Sequence, residues 1–377
     1  MDRNQILKNC RRLVIKVGSA VLTDDSGLSR RRIHLLASQL AKVRADGRQV
    51  VLVTSGAVAS GRAKIKSLSF DKPLTMPQKQ AAAALGQAGL MQTYEDALDV
   101  HGILAAQILL TAQDLRSRER YHNVSNTFNT LLEWGVLPIV NENDTVVVQE
   151  IKLGDNDNLA AMLTNLLEAD MLINLTNVDG LYDSDPRHNP AARLMTVVEK
   201  VEASHLTSAS SSPGHKGTGG ILSKIKAADQ VALCGAYTII ANGSKDDVLT
   251  RIMEGREEGT MFLPYPKHYA RRKHWIAFAS LQGGEVVVDG GAVKALIENH
   301  KSLLAAGIRD VRGSFQAGDA LRVLGPDNTL LAIGLSNYDN QELELIKGQT
   351  SRQIAASLGR ADVPEVIHRD NLVILLD

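Results

Sequence analysis

Between Leu13 and about Phe262 the chain alternates short β-branched apolar runs with longer stretches of helical periodicity. That alternation predicts an α/β domain whose sheet is covered by helices on both faces. Leu13–Val17, Val50–Thr54, Val136–Val140, Met171–Thr176 and Thr238–Ala241 read as buried strands, being short, nearly continuous and bounded by polar residues or glycine. Ser29–Ala45, Thr75–His101, Asn158–Glu168 and Gly220–Cys234 read as helices, with Ser29 and Thr75 as N-caps. Ligands of open sheets bind beyond the carboxyl ends of the strands, so the residues just after each run are where function is sought.

Length and charge narrow the classes further. The 377 residues exceed one typical domain, and 42 Lys+Arg against 42 Asp+Glu give no global field toward nucleic acid or membrane. With 4% aromatics, an aromatic platform for single strands is disfavoured. Two cysteines, Cys10 and Cys234, make neither a disulfide scaffold nor a zinc or redox pair, which fits a reducing compartment. The first twelve residues do not read as a signal peptide, and the nearest approach to a membrane span, His101–Ala112, is too short. A cytoplasmic protein is expected. After Phe262 the texture changes through Pro264, Pro266 and the basic cluster Arg271–Lys273. Strands over Glu285–Asp289, Ala320–Leu324 and Leu330–Leu335, with turns at Gly283-Gly284, Gly290-Gly291, Gly313, Gly318 and Gly325, predict a small β-rich barrel with few helices. The tail Leu372–Leu376 reads as one more strand. The boundaries expected are 1–264, a linker 265–275, and 276–377.

Four clusters can carry chemistry. Lys16-Val17-Gly18-Ser19 leaves an ammonium at a strand end beside a glycine whose N–H can approach a ligand, and Thr54-Ser55-Gly56-Ala57, with Gly61 following, offers further small groups for an anion pocket. A surface lysine beside a turn glycine would look the same. Neither cluster is a Walker loop or a dinucleotide fingerprint. Asn141-Glu142-Asn143-Asp144 and Gly154-Asp155-Asn156-Asp157-Asn158 concentrate carboxylates and amides suited to a zwitterionic substrate, Asp144 taking its ammonium, although an Asp in the second could simply cap a helix. His215-Lys216-Gly217-Thr218-Gly219-Gly220-Ile221-Leu222-Ser223-Lys224 is a glycine-rich loop opening a helix, with Lys224 one turn inside it. Thr176-Asn177 could line a nucleotide pocket. His368-Arg369-Asp370 imitates a protein-kinase triplet but lies at the chain's end, and the ten histidines show no metal-ligand spacing. Two lysines beside glycine turns can neutralise a transferring phosphate, and a carboxylate acceptor, already ionised, needs no base. Together these fit a kinase, whose product would be an acyl phosphate if the acceptor were a carboxylate.

In this order the clusters resemble the glutamate 5-kinase family of the amino acid kinase superfamily, and the region from about Trp275 onward, with its Ser302–Ile308 stretch, resembles the PUA domain that bacterial members carry. The resemblance implies a three-layer αβα sandwich with a mostly parallel sheet, then a PUA barrel. It implies ATP-dependent phosphorylation of the γ-carboxylate of L-glutamate with Mg²⁺, the first step of proline biosynthesis, inhibited by proline. It also implies a homo-oligomer, dimer or tetramer, coupled to glutamyl phosphate reductase. Lys16 and Lys224 would bracket the phosphates with Asp157 orienting them. Ser55, Asp144 and Asn156 would hold glutamate, and Lys16, Thr176, Asn177, Thr218, Gly219, Gly220, Ile221, Leu222, Ser223 and Lys224 would hold ATP. Asn177 stands where the family usually has Asp, and Ile221-Leu222 replaces a Met-containing stretch. PUA domains elsewhere recognise RNA, but from Ile276 to Asp377 there are 9 Lys+Arg and 13 Asp+Glu, hence 9 − 13 = −4, the wrong sign for displacing counterions from a phosphate backbone. Aspartate, acetylglutamate, carbamate or a nucleotide remain as alternative acceptors, since these motifs do not measure side-chain length.

Overall fold

The computed structural model describes residues 2–24, 27–65, 74–146, 155–210, 220–266, 273, 276, 282–358 and 365–375. The chain forms two compact units, Met1–Asp114 with Glu119–His268, and Leu115–Arg118 with Tyr269–Asp377. The strands of the first unit are β1 (Arg12–Val17), β2 (Thr23–Asp24), β3 (Gly27–Leu28), β4 (Gln49–Val53), β5 (Ala105–Leu110), β6 (Leu137–Glu142), β7 (Met171–Thr176), β8 (Val197–Val198), β9 (Tyr237–Asn242) and β10 (Thr260–Phe262). Its helices are α1 (Arg3–Asn9), α2 (Ser19–Leu22), α3 (Arg30–Ala45), α4 (Ala57–Lys64), α5 (Met76–Asp99), α6 (Ala112–Arg116), α7 (Arg118–Glu133), α8 (Asp155–Leu166), α9 (Ala203–Ser210), α10 (Ile221–Leu233) and α11 (Val248–Met253).

Eight strands form one sheet in the order β5-β6-β4-β1-β7-β9-β10-β8. Neighbours from β5 to β9 run parallel, while β10 lies antiparallel to β9. This is the predicted architecture. The near-continuous apolar runs of β1, β4 and β7 are buried on both faces, as parallel central strands require. Strand β1 is flanked by β4 and β7, with Lys16 opposite Val53 on one side and Asn174 on the other. Six parallel strands, β5, β6, β4, β1, β7 and β9, therefore deliver their carboxyl ends to one edge, and the polar residues following β1, β4, β6 and β7 gather there. The apolar segment after His101 supplies edge strand β5, and no helix among the described residues is long and apolar enough to cross a membrane.

Ser29 stands at the N-cap of α3 without a side-chain cap bond, whereas at Thr75 the Gln78 side chain accepts the backbone N–H at 2.9 Å, one half of a capping box. Gly61 has a different task from the pocket-lining one expected of it. A Cβ on Gly61 would lie 1.7 Å from the Ala82 carbonyl oxygen, and one on Gly86 would lie 1.9 Å from the Ala57 carbonyl oxygen. Helices α4 and α5 thus touch backbone to backbone, which only glycine permits. Gly86→Ala is expected to destabilise the first unit by at least about 2 kcal/mol through overpacking. A urea midpoint equal to wild type would contradict the contact.

In the second unit β13 (Ile308–Gly313), β11 (Gln282–Val288), β14 (Ala320–Leu324), β15 (Leu330–Leu335) and β17 (Leu372–Ile374) form a five-stranded sheet, and β12 (Leu303–Leu304) pairs with β16 (Glu365–Ile367). Phe315, Tyr338 and Leu321 anchor its core. Helices over Gly290–Ile297, Asn340–Ile346 and Ser351–Leu358 make it more helical than expected. Gly290-Gly291 opens the first of these instead of making a turn, because the Asp289 side chain caps Ala292 N at 2.8 Å.

Candidate active site

Lys16 is the one charged residue of β1 past its first position, and its ammonium emerges at the strand's carboxyl end. Asp157 lies in the first turn of α8, and Lys224 lies one turn into α10. Lys16 Nζ lies 2.7 Å from Asp157 Oδ1, and Lys224 Nζ lies 3.1 Å from Asp157 Oδ2. Two lysines from distant parts of the chain therefore share one carboxylate. All three are nearly inaccessible, at 5% for Lys16, 1% for Asp157 and 4% for Lys224, so solvent screens their charges little. Asn174 Nδ2 donates to Asp157 Oδ1 at 3.0 Å, and Ser223 Oγ to Oδ2 at 2.6 Å. Four donors thus converge on one carboxylate.

Burial alone would push the Asp157 carboxyl upward, but Lys16 and Lys224 outweigh it and hold the group well below the ordinary carboxylate range. Lys224 moves down as well, through burial first and the Lys16 charge second, because one carboxylate compensates only part of two ammonium groups. The cluster carries one net positive charge at an edge of the sheet. That surplus suits a phosphate.

Beside it, Asn156 Nδ2 donates to Ser55 Oγ at 3.0 Å and to Asn141 Oδ1 at 3.2 Å. Asn141 is 2% exposed, and its Nδ2 donates to Gln87 Oε1 at 2.9 Å. Behind Ser55, Thr54 Oγ1 and Tyr94 Oη, both fully buried, lie 2.8 Å apart. Asp144 stands in the turn after β6, half-buried. Thr176 ends β7, buried, with the exposed Asn177 following it.

The structure brings together Lys16, Asp157, Ser223 and Lys224 in one bonded cluster, and Ser55 with Asn156 in another. Gly220 is the N-cap of α10. Ile221 and Leu222 pack against the cluster of Leu181, Ile225 and Ile240, which leaves their backbone N–H groups as what the helix start can offer a phosphate. Thr218 and Gly219 lie outside the described residues, as do Gly154 and Gly217. The N–H of Gly18, expected to face a ligand, instead donates to Leu175 O at 3.0 Å, continuing the β1–β7 ladder.

Sequence reasoning missed Asn174 and Gln87 and gave Asn141 no role of its own. An amide inside the apolar run Met171–Thr176 was a readable signal, since a fully buried Asn must find a partner. Gln87 sits unremarkably within a long helix and gave none. Among the described residues no three His, Cys, Asp or Glu side chains form a metal cage.

The amino acid kinase family matches residues 11–242, and the PUA domain matches residues 284–358. The chain is 48% identical over 375 residues to glutamate 5-kinase of Geobacter metallireducens, spanning 99% of this chain and 100% of that protein. It is 47% identical over 374 residues to the glutamate 5-kinase of Trichlorobacter lovleyi, with 99% of each chain covered. To that of Nitratidesulfovibrio vulgaris strain DP4 it is 45% identical over 373 residues, 99% of this chain and 98% of the other.

Proposed function

The chain belongs to the glutamate 5-kinase family, and from that premise we propose how its own residues carry the reaction. The enzyme phosphorylates the γ-carboxylate of L-glutamate with ATP, giving L-glutamyl 5-phosphate for proline biosynthesis. A γ-carboxylate oxygen attacks the γ-phosphorus of ATP. The new O–P bond forms as the bond to the β,γ-bridging oxygen breaks, and ADP leaves with that electron pair. Glutamate is ionised at neutral pH, so no base is required.

Lys16 and Lys224 neutralise the migrating phosphoryl group and the charge growing on ADP, and Asp157 fixes both ammonium groups in place beforehand. The observation that carries this reading is the sharing of the buried Asp157 carboxylate by two buried lysines. Lys224, only partly compensated in the free protein, gains its missing counter-charge when phosphate arrives. Ser55, Asp144 and Asn156 hold the amino acid. Thr176, Asn177, Thr218, Gly219 and the Gly220–Lys224 turn hold the nucleotide. Mg²⁺, when bound with ATP, would supply further neutralisation of the phosphate charge. Both oxygens of Asp157 are committed to lysines, which supports a nucleotide-borne ion over one held by this carboxylate.

Feedback inhibition by proline, self-association, hand-over of the acyl phosphate to glutamyl phosphate reductase and a cytoplasmic setting complete the proposal. The water-lability of an acyl phosphate supports the hand-over. The free thiols Cys10 and Cys234 suit a reducing compartment. The balance of residues 276–377, 9 Lys+Arg against 13 Asp+Glu, speaks against nucleic acid as the partner of that C-terminal stretch.

Purified protein incubated with ATP, Mg²⁺, hydroxylamine and each candidate acid tests the reaction. Hydroxamate is expected with glutamate. Product with aspartate alone, or with no acid, defeats the substrate assignment.

A further inference from the structure

We infer that Gln87 is a positioning residue for the amino-acid substrate: together with the Glu142 backbone N–H it holds the direction of the Asn141 and Asn156 amides, and so which atom of Asn156 is left to meet glutamate. The inference rests on the glutamate reading above and deepens it.

Four side chains from four elements form a bonded row. Gln87 of α5 accepts from Asn141 at the end of β6, Asn141 accepts from Asn156 in the first turn of α8, and Asn156 donates to Ser55 after β4. An amide presents an acceptor on one side and a donor on the other, so such a row has a direction that one fixed group can set. Ser55 cannot set it, because a hydroxyl donates or accepts with equal ease. The Glu142 backbone N–H can, being a donor only, and it donates to Asn141 Oδ1 at 2.9 Å. Asn141 must therefore turn Nδ2 toward Gln87, and Gln87 must answer with Oε1. On the other side Asn156 must offer Nδ2 to Asn141 Oδ1, which leaves Asn156 Oδ1 free.

The row's two leftover atoms are the ones this logic requires. Asn156 Oδ1 and Gln87 Nε2 are buried and have no partner among the described residues. Unpaired buried polar atoms are uncommon and each calls for an explanation. For Asn156 the explanation is an acceptor kept ready for a donor on the substrate, and the donor glutamate carries is its α-ammonium. Gln87 anchors the far end. Without its Oε1, Asn141 Nδ2 has no partner in the row, the Asn141 amide is left with the Glu142 N–H as its one orienting bond, and the direction of Asn156 is held less firmly.

The test uses the full chain and the hydroxamate assay. Gln87→Met keeps the length and helix propensity of the side chain while deleting the acceptor. It is expected to raise the glutamate KM about tenfold, while kcat and the ATP KM stay within about threefold. In an Asn156→Ala background, where no acceptor remains to be oriented, the same change is expected to raise the glutamate KM by less than about threefold. Should Gln87→Met fold poorly, Gln87→Glu, which retains acceptor oxygens, replaces it as the readout. It is expected to keep the Asn141 anchor and a glutamate KM nearer wild type than that of Gln87→Ala. The inference is overturned if Gln87→Met leaves the glutamate KM within twofold of wild type, or raises the ATP KM equally, or multiplies fully with Asn156→Ala. It is also overturned if Gln87→Glu is no better than Gln87→Ala. Active wild-type protein with unaffected Gln87 variants defeats the relay alone, whereas wild-type protein that makes no hydroxamate with glutamate defeats the reaction itself.

Discussion

Lys224→Ala is expected to lower kcat for glutamate-dependent acyl phosphate formation by about 10³-fold or more, with a far smaller change in the glutamate KM. Phosphoryl transfer is catalysed mainly by alignment and charge stabilisation, and removing one pre-placed donor from such a site typically costs about 10²–10³ in rate. The higher end applies here because Lys224 is almost wholly buried, where a charge acts through a weakly screening medium. Alanine also leaves Asp157 paired with Lys16 alone, which cancels the cluster's surplus positive charge. Lys224→Arg should rescue little, because a planar guanidinium does not fit a space shaped around a compact ammonium in contact with Asp157 Oδ2. Initial rates at saturating ATP and glutamate decide the matter. Residual activity within tenfold of wild type would remove Lys224 from the chemistry.

Asp157→Asn should harm both the enzyme and its fold. The substitution conserves shape but leaves two buried ammonium groups with no counter-charge, and breaking a buried ion pair from one side typically costs about 3–5 kcal/mol. Chemical denaturation should register a loss of that order, together with a kcat too low to measure easily. Inorganic phosphate or ATP should stabilise the variant more than the wild type, because an incoming anion replaces the missing negative charge. Equal stabilisation of both proteins would contradict the electrostatic account.

The variant should also change the acid limb of stability. In the folded state the Asp157 carboxyl is held well below its unfolded value of about 3.9, so between those two values the unfolded chain binds more protons than the folded one. Its contribution is fully present above the unfolded value and is lost as pH falls through the folded one. Wild-type stability should therefore drop more steeply below about pH 4 than that of Asp157→Asn.

Much of this could be read from the chain because the central strands are buried on both faces. Met171–Thr176, Ala320–Leu324 and Leu330–Leu335 were placed to the residue, and β1, β4 and β9 within one residue at each end. Strand β5 escaped because an edge strand half open to solvent loses the continuous apolar signature, and β8 and β10 are too short to show a period. At the site, Lys16 was legible because charge at the end of an apolar run is conspicuous and Lys224 because it follows a glycine-rich loop, whereas the role of Asp157 came only with the family resemblance. What sequence could not supply was partnership across the sheet. The Gly18 N–H looked available until β7 was seen to claim it, and Gly61 looked like pocket lining until α5 was found against it. The role of Gln87 depends on a neighbour's amide direction, which no local pattern records.

The glycine contact between α4 and α5 bears on how selectively the amino acid is gripped. Ser55 precedes α4, and Gln87 follows Gly86 directly, so the two residues are mounted on a single stiff bracket in which main chain abuts main chain. Rotamer changes cannot widen the gap between them. On this flank, the span offered to a substrate is measured by a ruler of covalent geometry.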